Sequence, residues 1–336
     1  GVLTGVLVKT GAADRIALTI VRKAGRKNVF LALALSVFIL TGVGVFIDVA
    51  VITVAPIAIM IGKELGLSKG KVLLALIGGG KCGNIVSPNP NTIIAAENYD
   101  APLSSVMAAG IVPALVGLAA LVFVVLPMLP DKGFSDLKEA EGARDEKDLP
   151  SFLASITGPL VAVLLMVLRP LFGISIDPAI ALPAGGLLAT RKWKNTGECL
   201  NYGLEKMSPI AVLLVGTGTI AGVIKASAVK DLLIGLIAGW EGGAVLLAPI
   251  SSILMCAASA STTAGATIAS ASFAQTVLAA GVNAVWAAAM TNAGATVIDH
   301  LPHGSFFHAT GGSIGMELKE RLKLIPYESL VGLVLV

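Results

Sequence analysis

Charge is what this sequence has least of. Asp, Glu, Lys and Arg together make up 13% of its 336 residues, about half of the ~25% usual in soluble domains. Beside 55% hydrophobic residues and a mean hydropathy of +0.88, that scarcity excludes an ordinary water-soluble domain. No polybasic arm is present, so nucleic acid is not an expected partner, and the net charge of +3 reflects topology rather than a binding surface. Cysteine is almost missing. Cys82, Cys199 and Cys256 lie far apart, with no CxxC pair and no metal spacing, and read as small packing residues. Gly78-Gly79-Gly80 lacks the spacing of a phosphate-binding loop and reads as a site of close helix packing. The chain opens on Gly1, with no Met and no signal peptide, inside an apolar run too short to span. It closes inside another, from Leu330, and so reads as a fragment cut at both ends.

What is present is a series of apolar runs of about 20 residues, long enough to cross a bilayer. Leu103 to Leu129, Phe152 to Val167 and Pro209 to Ile224 are examples. The expected fold is an all-α polytopic membrane protein. One run, Val72 to about Ala96, is interrupted by Ser87-Pro88-Asn89-Pro90-Asn91-Thr92. Proline deletes a backbone donor and clashes with the preceding turn. In hydrocarbon, broken backbone survives only where it is buried in protein or lines a watery cavity. A shift of 214 residues carries Pro88-Asn89-Pro90-Asn91 onto Pro302-His303-Gly304-Ser305, inside a second interrupted run, Ala284 to about Ile314. Paired broken segments in two halves point to the binding site of a transporter.

The same offset organises the chain into a first repeat, 1–130, a cytoplasmic linker, 131–150, and a second, inverted repeat, 151–336, each repeat truncated at its outer end. Each holds an amphipathic stretch (Ala13 to Lys27; Ala226 to Trp240), a long apolar segment (Val29 to Ile61; Ala244 to Leu278) and a broken helix. Two spans of the second half, Phe152 to Leu168 and Ala179 to Thr190, have no counterpart in the first. About 60 residues, at ~20 per span, are therefore expected ahead of Gly1. Placing the Lys and Arg excess in the cytoplasm makes the long segments re-entrant hairpins that enter from opposite sides. Arg169, Lys225 and Lys230 then lie outside, Lys81 lies within the membrane, and the other basic residues, among them Lys138, Arg191, Lys192 and Lys194, lie inside. Two ordinary spans per long segment would give the same loop signs. The linker holds seven acidic and four basic residues and reads as a solvated connection.

Polar groups at membrane depth are costly and mark function. The candidates for substrate contact are Lys81, Asn84, Ser87, Asn89, Asn91 and Thr92 around the first break, Ser261, Thr262 and Thr263 at the second hairpin tip, and Ser305 at the second break. Amides and hydroxyls suit a hydroxylated substrate, and Lys81 suits its carboxylate or an ion pair with Asp48. Half-helix N-termini at the tips carry partial positive charge and favour an anion. Asp48, Asp299, His300 and His303 are the proton-coupling candidates. A buried carboxylate tends to protonate, and histidine titrates near neutral pH; Asp48 alternatively caps the second arm of its hairpin. All three histidines, His300, His303 and His308, fall within nine residues. A metal-dependent intramembrane hydrolase is the rival of another class, but HExxH is absent, and Pro302 and Gly304 break the helix such ligation prefers.

Three stretches resemble the gluconate permease (GntP) family of the ion transporter superfamily: Gly11-Ala12-Ala13-Asp14-Arg15-Ile16-Ala17, the hairpin Val45-Phe46-Ile47-Asp48-Val49 running to Pro56, and the break at Ser87 to Thr92 followed by Ile93-Ile94-Ala95-Ala96. The resemblance implies proton-coupled uptake of gluconate or a similar sugar acid, with D-serine taken by some members. It also implies a dimer in which a transport domain moves past a scaffold. The expected protein is then a non-enzymatic, multi-pass secondary transporter of a bacterial inner membrane. Its expected partners are a small organic anion, lipid and a second copy of itself, and it needs no cofactor beyond the coupling ion. Sodium coupling, or sodium/proton exchange, is the alternative within this class.

Overall fold

In the computed structural model, residues 1–137, 144–172, 176–189, 196–237 and 243–336 are described. Of the features expected from sequence, the middle of the linker with Lys138, the loop with Arg191, Lys192 and Lys194, the end of the second amphipathic stretch at Trp240, and the side chains of Arg169 and Lys230 lie outside the described residues.

The described chain is helical, with no strand. The first half runs through α1 (Val2–Lys9), α2 (Ala12–Ala24), α3 (Val29–Gly42), α4 (Ile47–Leu65), α5 (Lys69–Asn84), α6 (Pro90–Asn98), α7 (Leu103–Ala109), α8 (Ile111–Ala120) and α9 (Leu126–Met128). A π turn, Leu121–Val125, joins α8 to α9, so that Leu103–Met128 forms one 26-residue rod. The second half runs through α10 (Phe152–Phe172), α11 (Pro178–Ala189), α12 (Thr196–Ala226), α13 (Ala228–Ile237), α14 (Gly243–Ser259), α15 (Thr262–Ala279), α16 (Ala284–Gly294), α17 (Ser305–Ser313), α18 (Leu318–Leu322) and α19 (Ile325–Val334).

Two described helices, Leu103–Met128 and Thr196–Ala226, are long and apolar enough to cross a bilayer. The pair α2 and α3 would be a third, but it bends by 115°. The amphipathic α2 is thereby turned away from the apolar α3. Large apolar side chains cover the outside: Phe123 is 74% exposed, Leu153 75% and Val215 76%. In water such a surface would aggregate; against lipid it is the expected exterior.

Each long apolar segment folds as a helical pair. In the first, Gly44, at φ +102°, turns the chain between α3 and α4. In the second, Ala260, at φ +45°, turns it between α14 and α15. Small residues let the pairs pack closely on the broken helices. A methyl group at Gly79 or Gly83 of α5 would collide with the backbone of α3 at Ala34 or Phe38. This is the small-residue packing common between membrane helices, as expected for the glycine run.

The two broken helices cross antiparallel. Tyr99 hydroxyl meets Thr291 Oγ1 at 3.0 Å, Asn292 Nδ2 donates to Thr92 Oγ1 at 3.0 Å, Lys81 reaches Asp299 and Lys69 Nζ donates to the Gly315 carbonyl at 3.0 Å. As the chain descends through the first, it climbs through the second.

Basic residues gather where the linker packs. Arg15 Nε donates to the Pro150 carbonyl (2.8 Å), Arg22 grips both oxygens of Glu146 (2.5 and 2.7 Å), and Arg144 Nη1 donates to the Val8 carbonyl (2.9 Å). The Arg22 hydrogen bond holds the Glu146 carboxyl below its usual range. Burial pushes Asp14 up, partly offset by Arg144. Glu320 accepts from the Ser135 and Glu317 amides, which outweigh its burial and lower it.

Candidate functional site

The first break is built by its own side chains. Asn89 caps α6: its Oδ1 accepts from the Thr92 amide at 3.0 Å and from the Thr92 hydroxyl at 3.2 Å, with Pro90 at the first helical position. Its Nδ2 donates back to the Asn84 carbonyl (2.8 Å) and to Asn84 Oδ1 (2.7 Å), bridging the end of α5. Backbone that would be orphaned in hydrocarbon is satisfied in this way. Asn84 Nδ2, Ser87 Oγ and Asn292 Oδ1 are buried with no hydrogen-bond partner among the described residues.

The second break is longer, spanning 295–304. Gly304 lies directly under the second hairpin: a Cβ there would stand 2.5 Å from the Ala260 carbonyl oxygen. Ser261 caps α15 by accepting from the Ala264 amide at 3.3 Å. Thr262 Oγ1 donates to Asp299 Oδ2 at 2.9 Å, and Thr263 Oγ1 donates to Asn91 Oδ1 at 2.6 Å. The second hairpin tip therefore touches both breaks.

Between these parts lies a cavity of about 570 Å³. Its wall takes Asp48 from the first hairpin, Asn84 and Asn91 from the first broken helix, Ser261, Thr262 and Thr263 from the second hairpin tip, and Asp299, His303 and Ser305 from the second break. First-turn residues of α4, α6, α15 and α17 all face it. Four helix N-termini thus meet at one cavity, each carrying partial positive charge. Asp48 sits in the first turn of α4, where its Oδ1 accepts from the Val49 amide at 2.8 Å.

Other residues expected at the site lie behind the wall. Ser87, Asn89 and Thr92 are buried in the frame of the first break. Lys81 is fully buried and pairs with Asp299 at 2.6 Å rather than with Asp48. Its ammonium also donates to the Thr296 carbonyl and to His300 Nδ1 (3.0 Å). His300 is fully buried; its Nε2 reaches the Ile325 carbonyl at 3.0 Å and Ser329 Oγ at 3.1 Å. His308 Nε2 donates to the Pro302 carbonyl at 2.7 Å. Among the described residues, no three His, Cys, Asp or Glu side chains are placed to hold a metal ion together.

Two groups escape sequence reasoning. Glu205 and Lys206, on α12 just ahead of the Pro209 run, line the cavity, although the charge pattern counts Lys206 only among the cytoplasmic basic residues. Glu328, fully buried in α19, pairs with the buried Arg321. A lone carboxylate in an apolar run was the available signal, as it was for Asp48.

The helices, the apolar exterior and the buried polar cavity are those of an all-α membrane transporter. A sequence model described as GntP family permease matches residues 1–182, and one described as Na+-H+ antiporter family matches residues 154–240. An uncharacterized transporter of Haemophilus influenzae is 53% identical, covering all of this chain and 80% of that protein. A gluconate permease of Pseudomonas aeruginosa is 25% identical over 91% of this chain and 75% of its own length. The D-serine transporter DsdX of Escherichia coli K12 is 25% identical over 78% of this chain and 65% of its own. Among solved structures, the YdaH transporter of Alcanivorax borkumensis, described as having an unusual topology, superposes with a TM-score of 0.61 at 16% identity, covering all of this chain and 82% of that one. The chain belongs to the GntP permease family.

Proposed function

We propose that this transporter is a proton-coupled symporter that brings a small hydroxylated carboxylate, a gluconate-like sugar acid, across a bacterial inner membrane by alternating access. The observation that carries this reading is the meeting of four helix N-termini at one cavity. Such termini select anions. The hydroxyls and amides of Ser261, Thr262, Thr263, Asn91 and Ser305 offer hydrogen bonds to a polyol chain, and the cavity volume suits a small molecule. Asp48, Asp299 and His303 stand on the same wall to carry the coupled proton.

The hairpins are part of the proposal. At ~1.5 Å per residue, the 14 residues of α3 reach about 21 Å, short of the ~30 Å hydrocarbon core. That short arm supports a re-entrant first pair, although its partner α4, at 19 residues, reaches about 28 Å. The antiparallel crossing of the broken helices supports two oppositely oriented repeats, and the exposed apolar face of α12 is available to lipid or to a second copy in a homodimer.

Sodium coupling or sodium/proton exchange is the second reading, favoured by the match of residues 154–240 to the antiporter family. Uptake of labelled D-gluconate, D-serine and small dicarboxylates into liposomes under an imposed pH gradient, with and without sodium, separates them. Accumulation that follows the pH gradient in sodium-free buffer supports proton symport. A rate that follows sodium and ignores the pH gradient refutes it.

A further inference from the structure

Behind the cavity lies a chain of five buried ionisable side chains. Lys81, Asp299, His300, Glu328 and Arg321 are each no more than 1% exposed. Only Asp299 reaches the cavity wall. Its Oδ1 meets Lys81 Nζ at 2.6 Å and His300 Nδ1 at 3.1 Å. His300 Nδ1 lies 3.8 Å from Glu328 Oε2. Arg321 clamps Glu328 with both terminal nitrogens, one of them 3.1 Å from Oε2, and is itself held by the Phe307 carbonyl and Thr310 Oγ1, each at 3.3 Å. Buried charges cost several kcal/mol each unless paired. A cluster of five in the protein interior, one of them on the cavity wall, marks function.

One contact fixes a ring proton. A carbonyl can only accept, so His300 Nε2 carries the hydrogen that faces the Ile325 carbonyl. In the neutral ring Nδ1 then holds a lone pair that accepts from Lys81, and its 3.1 Å contact with Asp299 Oδ1 becomes a hydrogen bond once Nδ1 is protonated. The three Lys81 hydrogens go to the Thr296 carbonyl, Asp299 Oδ1 and His300 Nδ1, leaving none for a substrate. In that state two cations balance two carboxylates and the cluster is neutral.

We propose that Glu328, positioned by Arg321, is the group that lets His300 take up the transported proton while Lys81 stays charged. The inference rests on the proton-symport reading above. A proton from the cavity passes through Asp299 to His300. The Nδ1–H bond forms, the Lys81 hydrogen bond to Nδ1 breaks, and the new N–H is received by Asp299 Oδ1 at 3.1 Å while the Glu328 carboxylate, 3.8 Å away, balances the charge of the ring. Lys81 keeps the Thr296 carbonyl and Asp299. The cluster gains one positive charge beside the cavity, which a bound carboxylate balances, so the loaded carrier is neutral within this site. The groups facing His300 are Lys81 on α5, Asp299 on its own segment and Glu328 on α19, with Arg321 of α18 behind Glu328. The thiols of Cys82 and Cys256 lie near Lys81, and Cys256 donates to the Ala295 carbonyl.

The test uses full-length protein in liposomes with D-gluconate as probe, and histidine ring 15N NMR to count protons on His300. In E328Q, accumulation driven by a pH gradient falls about tenfold or more, since the opposite charge 3.8 Å from the imidazolium is lost. Exchange at equal pH on both sides falls less. The fraction of His300 carrying both ring protons at a given pH falls in parallel, and E328D restores part of each. An E328Q protein that accumulates like wild type, or one that loses accumulation and exchange equally with His300 protonation unchanged, overturns the proposal. Should E328Q fail to fold, the double variant R321M/E328M replaces the pair with apolar groups. The same losses are expected there, and accumulation that survives in it overturns the proposal. Wild-type protein that ignores the pH gradient refutes proton symport itself, whereas a gradient-driven wild type beside a gradient-driven E328Q refutes only the role of Glu328.

Discussion

Lys81 Nζ lies 2.6 Å from Asp299 Oδ1, both groups fully buried, and this contact ties the first broken helix to the second. Removing one partner leaves the other charged and unpaired in the interior. Lys81→Met is expected to destabilise the protein by about 3–5 kcal/mol, while the double variant K81M/D299N loses markedly less. Thermal unfolding of the purified variants, read as a double-mutant cycle, checks this. Equal and additive losses would show that the two residues do not act as a pair.

Gly304 is the point where the second hairpin rests on the second break. Gly304→Ala puts a methyl group 2.5 Å from the Ala260 carbonyl and is expected to hold the hairpin off, abolishing gluconate uptake in a protein that still purifies as a folded species. Gly312→Ala meets nothing within 4 Å and is expected to transport like wild type. Uptake by the two variants, compared at equal protein in the membrane, is the measurement.

The tip of the second hairpin is held by few bonds. Ser261→Ala removes the cap of α15 and is expected to cost about 1 kcal/mol. Thr263→Val removes the 2.6 Å bond to Asn91 and is expected to weaken gluconate binding about tenfold, the loss of one well-made hydrogen bond beside an unsatisfied partner. Binding isotherms on purified protein report the second, thermal unfolding the first.

Away from the cavity, Glu146 anchors the linker to α2 through Arg22 and Arg15. Its carboxyl is held below the usual value of 4.5, first by the Arg22 hydrogen bond. A depressed carboxylate contributes fully above its unfolded value and loses that contribution as pH falls through the lower folded value, so docking of the linker is expected to hold at neutral pH and fail in acid. Glu146→Gln reproduces the acid state at neutral pH. Faster trypsin cleavage after Arg144 and Lys147 in E146Q is the expected sign, and an unchanged rate would show that other contacts hold the segment.

The broken helices and helical pairs were legible because proline, glycine and asparagine are so costly in an apolar run that their positions mark the breaks. Asn89 shows the limit. Its residue type suggests substrate contact, yet it spends both ends of its amide on capping α6 and bridging to Asn84. A cap and a ligand contact use the same chemistry, and only the fold distributes them. Lys81 was legible as an isolated charge in an apolar run, but its partner lies 218 residues away, in the other half of the chain, where no local pattern pairs the two side chains. Glu205 and Lys206 were hidden for the opposite reason. Charges beside an apolar run look like its solvated end until α12 proves continuous from Thr196 through Pro209.

Whether the anion binds in the cavity between the hairpin tips and the breaks is decided by Ser305→Cys. The native thiols Cys82, Cys199 and Cys256 are buried, whereas position 305 is exposed to the cavity, so a small methanethiosulfonate reagent reports on that site. D-gluconate at saturating concentration is expected to slow modification of the introduced thiol at least severalfold, with a half-effect at its binding constant. A variant that transports gluconate while its modification rate stays unchanged would place the anion elsewhere.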